Sequence, residues 1–110
     1  MAVITYKILG QVAPSATTET TLYTVPAATQ TKVSSVVVCN RGASNSSFRI
    51  SASQGGGATA NKDYWYYDLP ISGNDTFILT VGPTLGAGDI VRVYAADGNL
   101  SFNIFGSEIA

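Results

Sequence analysis

Thr21 to Gly42 reads T-L-Y-T-V-P-A-A-T-Q-T-K-V-S-S-V-V-V-C-N-R-G. Two runs rich in Thr and Val flank a loop that contains Pro26. β-branched residues fit the pleated, half-buried surface of a sheet. Pro26 closes the first run, and Cys39-Asn40-Arg41-Gly42 stops the second with turn chemistry. Val33, Val37 and Cys39 fall on one face of the second run, and Val36 and Val38 on the other. Apolar groups on both faces predict a strand covered on both sides, with Cys39 as a small buried hydrophobe. Tyr23 and Val25 read as packing residues.

The same grammar continues in both directions. Strand signals cover Ile4 to Val12, Glu19 to Val25, Lys32 to Asn40, Ser46 to Ala52, Asp63 to Leu69, Asp75 to Val81, Asp89 to Ala95 and Leu100 to Phe105. In the fourth, Phe48 and Ile50 point inward, and Ser47, Arg49 and Ser51 outward. Asp97-Gly98 between the last two is a hairpin signal of the type I′ kind. Gly55-Gly56-Gly57 predicts an exposed, mobile loop, because glycine runs are entropically costly to order. No segment carries apolar residues at helical spacing. About eight short strands with turn signals between them give an all-β fold, an antiparallel two-sheet sandwich of jelly-roll or immunoglobulin-like type, as one domain over residues 1–110.

Composition narrows the functional classes. Charged residues make up 12% of the chain and hydrophobic ones 45%. A soluble domain usually has about 25% charged residues, so part of this surface is expected to lie against other protein. The longest apolar run, Val36 to Cys39, is far below the roughly 20 residues of a membrane span, and no secretory leader is visible. The N-x-S/T triplets at Asn45, Asn74 and Asn99 are therefore discounted as glycosylation acceptors. The six Lys and Arg residues are scattered and the net charge is −1, which argues against nucleic-acid binding. One cysteine excludes an internal disulfide.

The chain has no histidine. That removes the commonest general base and metal ligand, together with Ser-His-Asp and Cys-His arrangements and zinc sites. No phosphate loop with its lysine is present. The carboxylates sit mostly where loops meet strands, where they cap turns. A calcium site from Asn74, Asp75, Asp97 and Asn99 lacks any ordered loop spacing. No enzyme activity and no cofactor are expected. The densest constellation is Asp63-Tyr64-Trp65-Tyr66-Tyr67-Asp68. Strict alternation puts Tyr64 and Tyr66 on one face and Trp65 and Tyr67 on the other. One pair fills the core. The other pair either packs under the glycine-rich loop or faces a ligand, a partner or solvent, and the four are the candidate interface. Aromatic faces of this kind also stack on sugars, which keeps a carbohydrate-binding module open.

The pattern L-Y-T-V-P-A-x-T, V-S-S-V-V-V-C-N-R-G and F-R-I resembles a family of small virion structural proteins of tailed bacteriophages, cyanophages and other marine phages among them. The likeness extends to Asp63–Asp75 and to L-S-F-N-I-F-G-S-E-I at Leu100–Ile109, and so covers most of the chain. Its motifs are structural. It implies a β-sandwich virion component without enzymatic activity. The role expected first is a capsid decoration (cement) protein, a homotrimer on the outer surface of the shell whose partner is the major capsid protein. The alternatives are a tail, baseplate or fibre component with tail proteins as partners, or a carbohydrate-binding module for adsorption. The chain departs from the family pattern in its aromatic-heavy Tyr64–Tyr67.

Overall fold

The computed structural model describes residues 2–110. It forms nine strands: β1 (Ile4–Val12), β2 (Thr20–Thr24), β3 (Gln30–Asn40), β4 (Ser46–Ser53), β5 (Tyr64–Ile71), β6 (Thr76–Leu79), β7 (Thr84–Leu85), β8 (Ile90–Ala95) and β9 (Leu100–Ile109). Eight of these answer the eight sequence signals. The ninth, β7, is a two-residue bridge beside β3 just after Pro83, too short to leave a periodic trace. No helix among the described residues is long and apolar enough to cross a membrane.

All pairing is antiparallel. The first sheet runs β1-β9-β3-β6, with β7 also on β3, and the second runs β2-β8-β4-β5. The pairs β4·β5, β3·β6, β2·β8 and β1·β9 are nested one inside the next along the chain. That nesting is the strand order of a jelly roll, and it decides between the two sandwich types left open by the sequence. The core is one continuous cluster between the sheets. Phe48, Ile50, Val91 and Val93 face Val33, Val36, Phe102 and Ile104 across it, all at most 1% exposed. Phe48 meets the Phe102 ring edge-on at 6.1 Å.

Two sequence expectations fail here for physical reasons. Asp97-Gly98 does not close a hairpin. β8 belongs to the second sheet and β9 to the first, so this loop crosses the sandwich. Neither residue has the positive φ that a type I′ turn needs. Asp97 instead accepts the Asn99 N–H at 2.9 Å. The second correction concerns β3, which is covered on one face only. Its register on β9 slips at Ser34, between Val33 and Ser35. An inserted residue reverses the faces beyond it. Val33 therefore joins Val36 and Val38 in the core, while Val37 and Cys39 turn outward and are half-buried. β1 slips at Leu9 opposite the same part of β9. Past this level Gly106 runs so close to β3 that a Cβ there would lie 2.1 Å from the Lys32 carbonyl oxygen. Only glycine fits.

At one end of the sandwich β3 terminates in Asn40, which is 1% exposed. Its amide Nδ2 donates to the carbonyls of Ser44 (2.9 Å) and Ser72 (3.2 Å), and its Oδ1 accepts the Gly42 N–H at 3.0 Å. One side chain thus ties the β3–β4 loop to the β5–β6 turn. Asn40→Asp keeps the shape but replaces the donor with an acceptor facing carbonyls. Leaving buried polar groups unpaired costs about 1–3 kcal/mol each. We expect Asn40→Asp to lower the unfolding free energy by about 3 kcal/mol or more and Asn40→Ala by about 2–3 kcal/mol, read from urea denaturation midpoints. Equal stability of Asn40→Asp and wild type would contradict this account.

Candidate functional site

β5 does not keep strict alternation. Its register on β4 slips twice, between Phe48 and Ile50 and again between Ile50 and Ser51. Asp68 sits in the left-handed region, φ 53°, which a short polar residue tolerates. The two slips redistribute the aromatic run. Trp65 and Tyr66 both pack against the core, and Tyr66 lies 5.2 Å from Phe77 and 6.3 Å from Phe48. Tyr64 and Tyr67 turn outward together and meet edge to face at 4.9 Å. The expected pairing of Tyr64 with Tyr66 and of Trp65 with Tyr67 is thereby corrected to Tyr64 with Tyr67 and Trp65 with Tyr66.

The outward pair belongs to a larger cluster. Arg49, on β4, lays its guanidinium 4.2 Å from the Tyr67 ring centre and 4.2 Å from that of Tyr94. Its Nε donates to Asp68 at 2.7 Å, and that bond holds the guanidinium pKa above its ordinary value. Cation–π contact and ion pair fix one arrangement of all these side chains. Arg49 thus occupies one face of the Tyr67 ring, which stays 58% exposed. On the other side of the strand, Trp65 and Tyr66 line an apolar groove of about 300 Å³ with Leu79, Val81 and Pro83, at the open side between the two sheets.

A second polar cluster joins the sheets at the end opposite Asn40. The buried Tyr23 of β2 donates its hydroxyl hydrogen to Glu108 of β9, and its oxygen lies 2.8 Å from the Thr31 hydroxyl. Lys7 of β1 holds the other Glu108 oxygen at 2.8 Å. Burial, and then the Glu108 carboxylate, push the Tyr23 phenol up from 10 to about 12. The Lys7 ammonium first, and then the Tyr23 hydroxyl, hold the Glu108 carboxyl below its ordinary value.

Three further carboxylates do turn work. Asp89 accepts the Gly55 and Gly86 N–H groups, both at 2.8 Å, and Asp75 accepts the Thr76 N–H at 2.8 Å. Asp63 accepts the Ala60 N–H at 2.8 Å, which with Lys62 beside it lowers its pKa. The glycine run is exposed, as expected, but it is tethered. Arg92 donates to the Gly57 carbonyl at 2.8 Å and to the hydroxyls of Ser53 and Thr59 at 2.9 and 3.1 Å.

The broadest feature is the outer face of the first sheet. Ile4, Tyr6 and Ile8 of β1, Phe105 of β9, Val37 of β3 and Ile78 of β6 all point that way. Ile4, Tyr6, Ile8 and Ile78 are 53, 82, 52 and 58% exposed. Lys32 is the charge on this face. Large exposed apolar groups with this little charge among them mark a surface meant for protein contact. That Ile4, Tyr6 and Ile8 share one face follows from strand alternation; that this face lies outside the core was invisible until the sheet order was known. Arg49 and Asp68 are nineteen residues apart, and no local signal joins them.

A scan against protein-family models and searches of curated proteins and solved structures returned no match.

The Tyr23–Glu108 bridge gives a pH signature. The depressed Glu108 contributes stability that is complete above the ordinary carboxyl range and fades as pH falls through its lowered folded pKa. The raised Tyr23 contributes stability that is complete below 10 and is lost as pH climbs towards 12. Thermal unfolding followed across pH should show both limbs. Glu108→Gln should flatten part of the acid limb and, by lowering the folded-state pKa of Tyr23, end the alkaline limb at a lower pH with a smaller total loss. An unchanged profile in this variant would show that the bridge contributes no pH-dependent stability.

Proposed function

We propose that this chain is a virion structural protein of a tailed phage, a capsid decoration (cement) protein that lies on the outer shell against the major capsid protein and associates with itself. The observation that carries this reading is the outer face of the first sheet, with Ile4, Tyr6, Ile8, Phe105, Val37 and Ile78 exposed or half-exposed and little charge among them. Such a face suits a second protein surface. The reading draws its virion context from the resemblance of Thr21–Gly42 and Leu100–Ile109 to small phage structural proteins. Jelly rolls recur in viral capsid domains and also in lectins and cupins, so the fold is compatible with the role without selecting it. No catalytic role is proposed: the chain has no histidine, and the carboxylates described above are engaged in turns or ion pairs.

A tail, baseplate or fibre position is the second structural reading, and the same apolar face supports it equally. Copy number separates the two. Quantitative mass spectrometry of purified particles should find this chain in a fixed, high ratio to the major capsid protein. A handful of copies per particle would move it to the tail. The carbohydrate reading is less well supported, because Arg49 already occupies one face of Tyr67 and Trp65 packs in part against the core. Trp65→Ala should leave glycan-array binding and host adsorption unchanged; a loss of either would restore it.

A further inference from the structure

The sandwich has four edges, and three are blunted. β2 has five residues and slips register at Leu22. β5 carries two register slips and Pro70. β6 and β7 have four and two residues, separated by Val81-Gly82-Pro83. β1 differs. From Ile4 to Ile8 it has no proline, no glycine and no slip, and all five residues are exposed. An open, regular edge strand with apolar and aromatic residues on its outer face is a template for another strand.

The ladder shows which groups are free. Val3 and Ala110 exchange both backbone hydrogen bonds, at 2.7 and 2.9 Å. Bonded and non-bonded pairs alternate along an antiparallel ladder. Thr5·Glu108 and Lys7·Gly106 are therefore the next bonded pairs. The N–H and C=O groups of Ile4, Tyr6 and Ile8 then point away from β9, to the free side.

We propose that two copies of this chain pair through β1, antiparallel, about a two-fold axis at Tyr6. In that register Tyr6 faces Tyr6 and Ile4 faces Ile8. These are the residues whose backbone groups are free, so the hydrogen-bond parity of the edge is met. Thr5 faces Lys7, so the one charge of the segment never opposes itself, and Lys7 is already neutralised by Glu108 of its own chain. The sequence Ile4-Thr5-Tyr6-Lys7-Ile8 is palindromic in character, as an isologous contact requires. The side chains at the seam meet on the outer face as Ile–Ile and Tyr–Tyr cross-strand pairs. The two first sheets become one, and their apolar outer faces become continuous. The pairing closes on two copies, in place of the expected trimer, and does not depend on a capsid location.

Sedimentation velocity on the purified chain from about 1 µM to 1 mM brackets the affinity of a small edge contact. The expected result is a concentration-dependent species of twice the 11.4 kDa chain mass. Tyr6→Pro removes only the N–H on the free side, and Tyr6→Lys puts two ammonium groups at the axis. Both variants should remain monomeric across the range, with wild-type circular dichroism. Should Tyr6→Pro fail to fold, Tyr6→Lys decides alone, because an 82% exposed side chain is not part of the core. A wild type that stays monomeric, a trimer, or a dimer that survives Tyr6→Lys overturns the proposal.

Discussion

The jelly roll depends on keeping two sheets in register at both ends, and a buried polar contact does this at each. Asn40 joins two loops at one end, where β3 leaves the first sheet and the chain crosses to β4. Tyr23 and Glu108 join β2 to β9 at the other. Between them the core is wholly apolar and supplies most of the stabilisation, but apolar packing is non-directional. Directional bonds at the two ends select one superposition of the sheets among those that would bury similar area. The cost of an unmade bond in a buried place enforces the choice.

Much of the fold was readable in the residues. Thr and Val runs between turn signals located eight strands to within a few residues, and the inward positions Phe48 and Ile50 were placed correctly. Pairing was not readable. Among consecutive strands only β4 and β5 are neighbours, because every other connection crosses the sandwich except β6–β7, which continues along the same side of β3. Asp97-Gly98 has a hairpin's composition in a crossing loop, where the Asp97 side chain stabilises the turn by itself. Local composition reports that the chain turns. It does not report which strand waits on the other side.

The misread side chains share one cause. Alternation assumes that no residue is inserted, and a single extra residue reverses every face beyond it. Ser34 does this to β3 and sends Cys39 outward. The slips in β5 bring Tyr64 and Tyr67 to the same side. Nothing in Tyr64–Asp68 announces a bulge except an Asp able to take positive φ. The aromatic run divides between core and surface, and the cluster around its outward pair is completed from elsewhere. Arg49 and Tyr94 arrive from β4 and β8 and convert two exposed rings into a fixed cluster.

The nesting of strand pairs also has a consequence in time. β4·β5 joins neighbours across a short loop, whereas β1·β9 joins the two ends of the chain, so loop-closure entropy places the outermost pair last. On a ribosome adding about 5–20 residues per second, β1 emerges many seconds before β9 exists to receive it. For that interval both of its edges are open and its apolar side chains have no sheet beneath them. The strand that the finished molecule leaves most exposed is also the one that waits longest for its first partner. Its exposure to wrong partners is thus set by the order of synthesis as much as by the final surface.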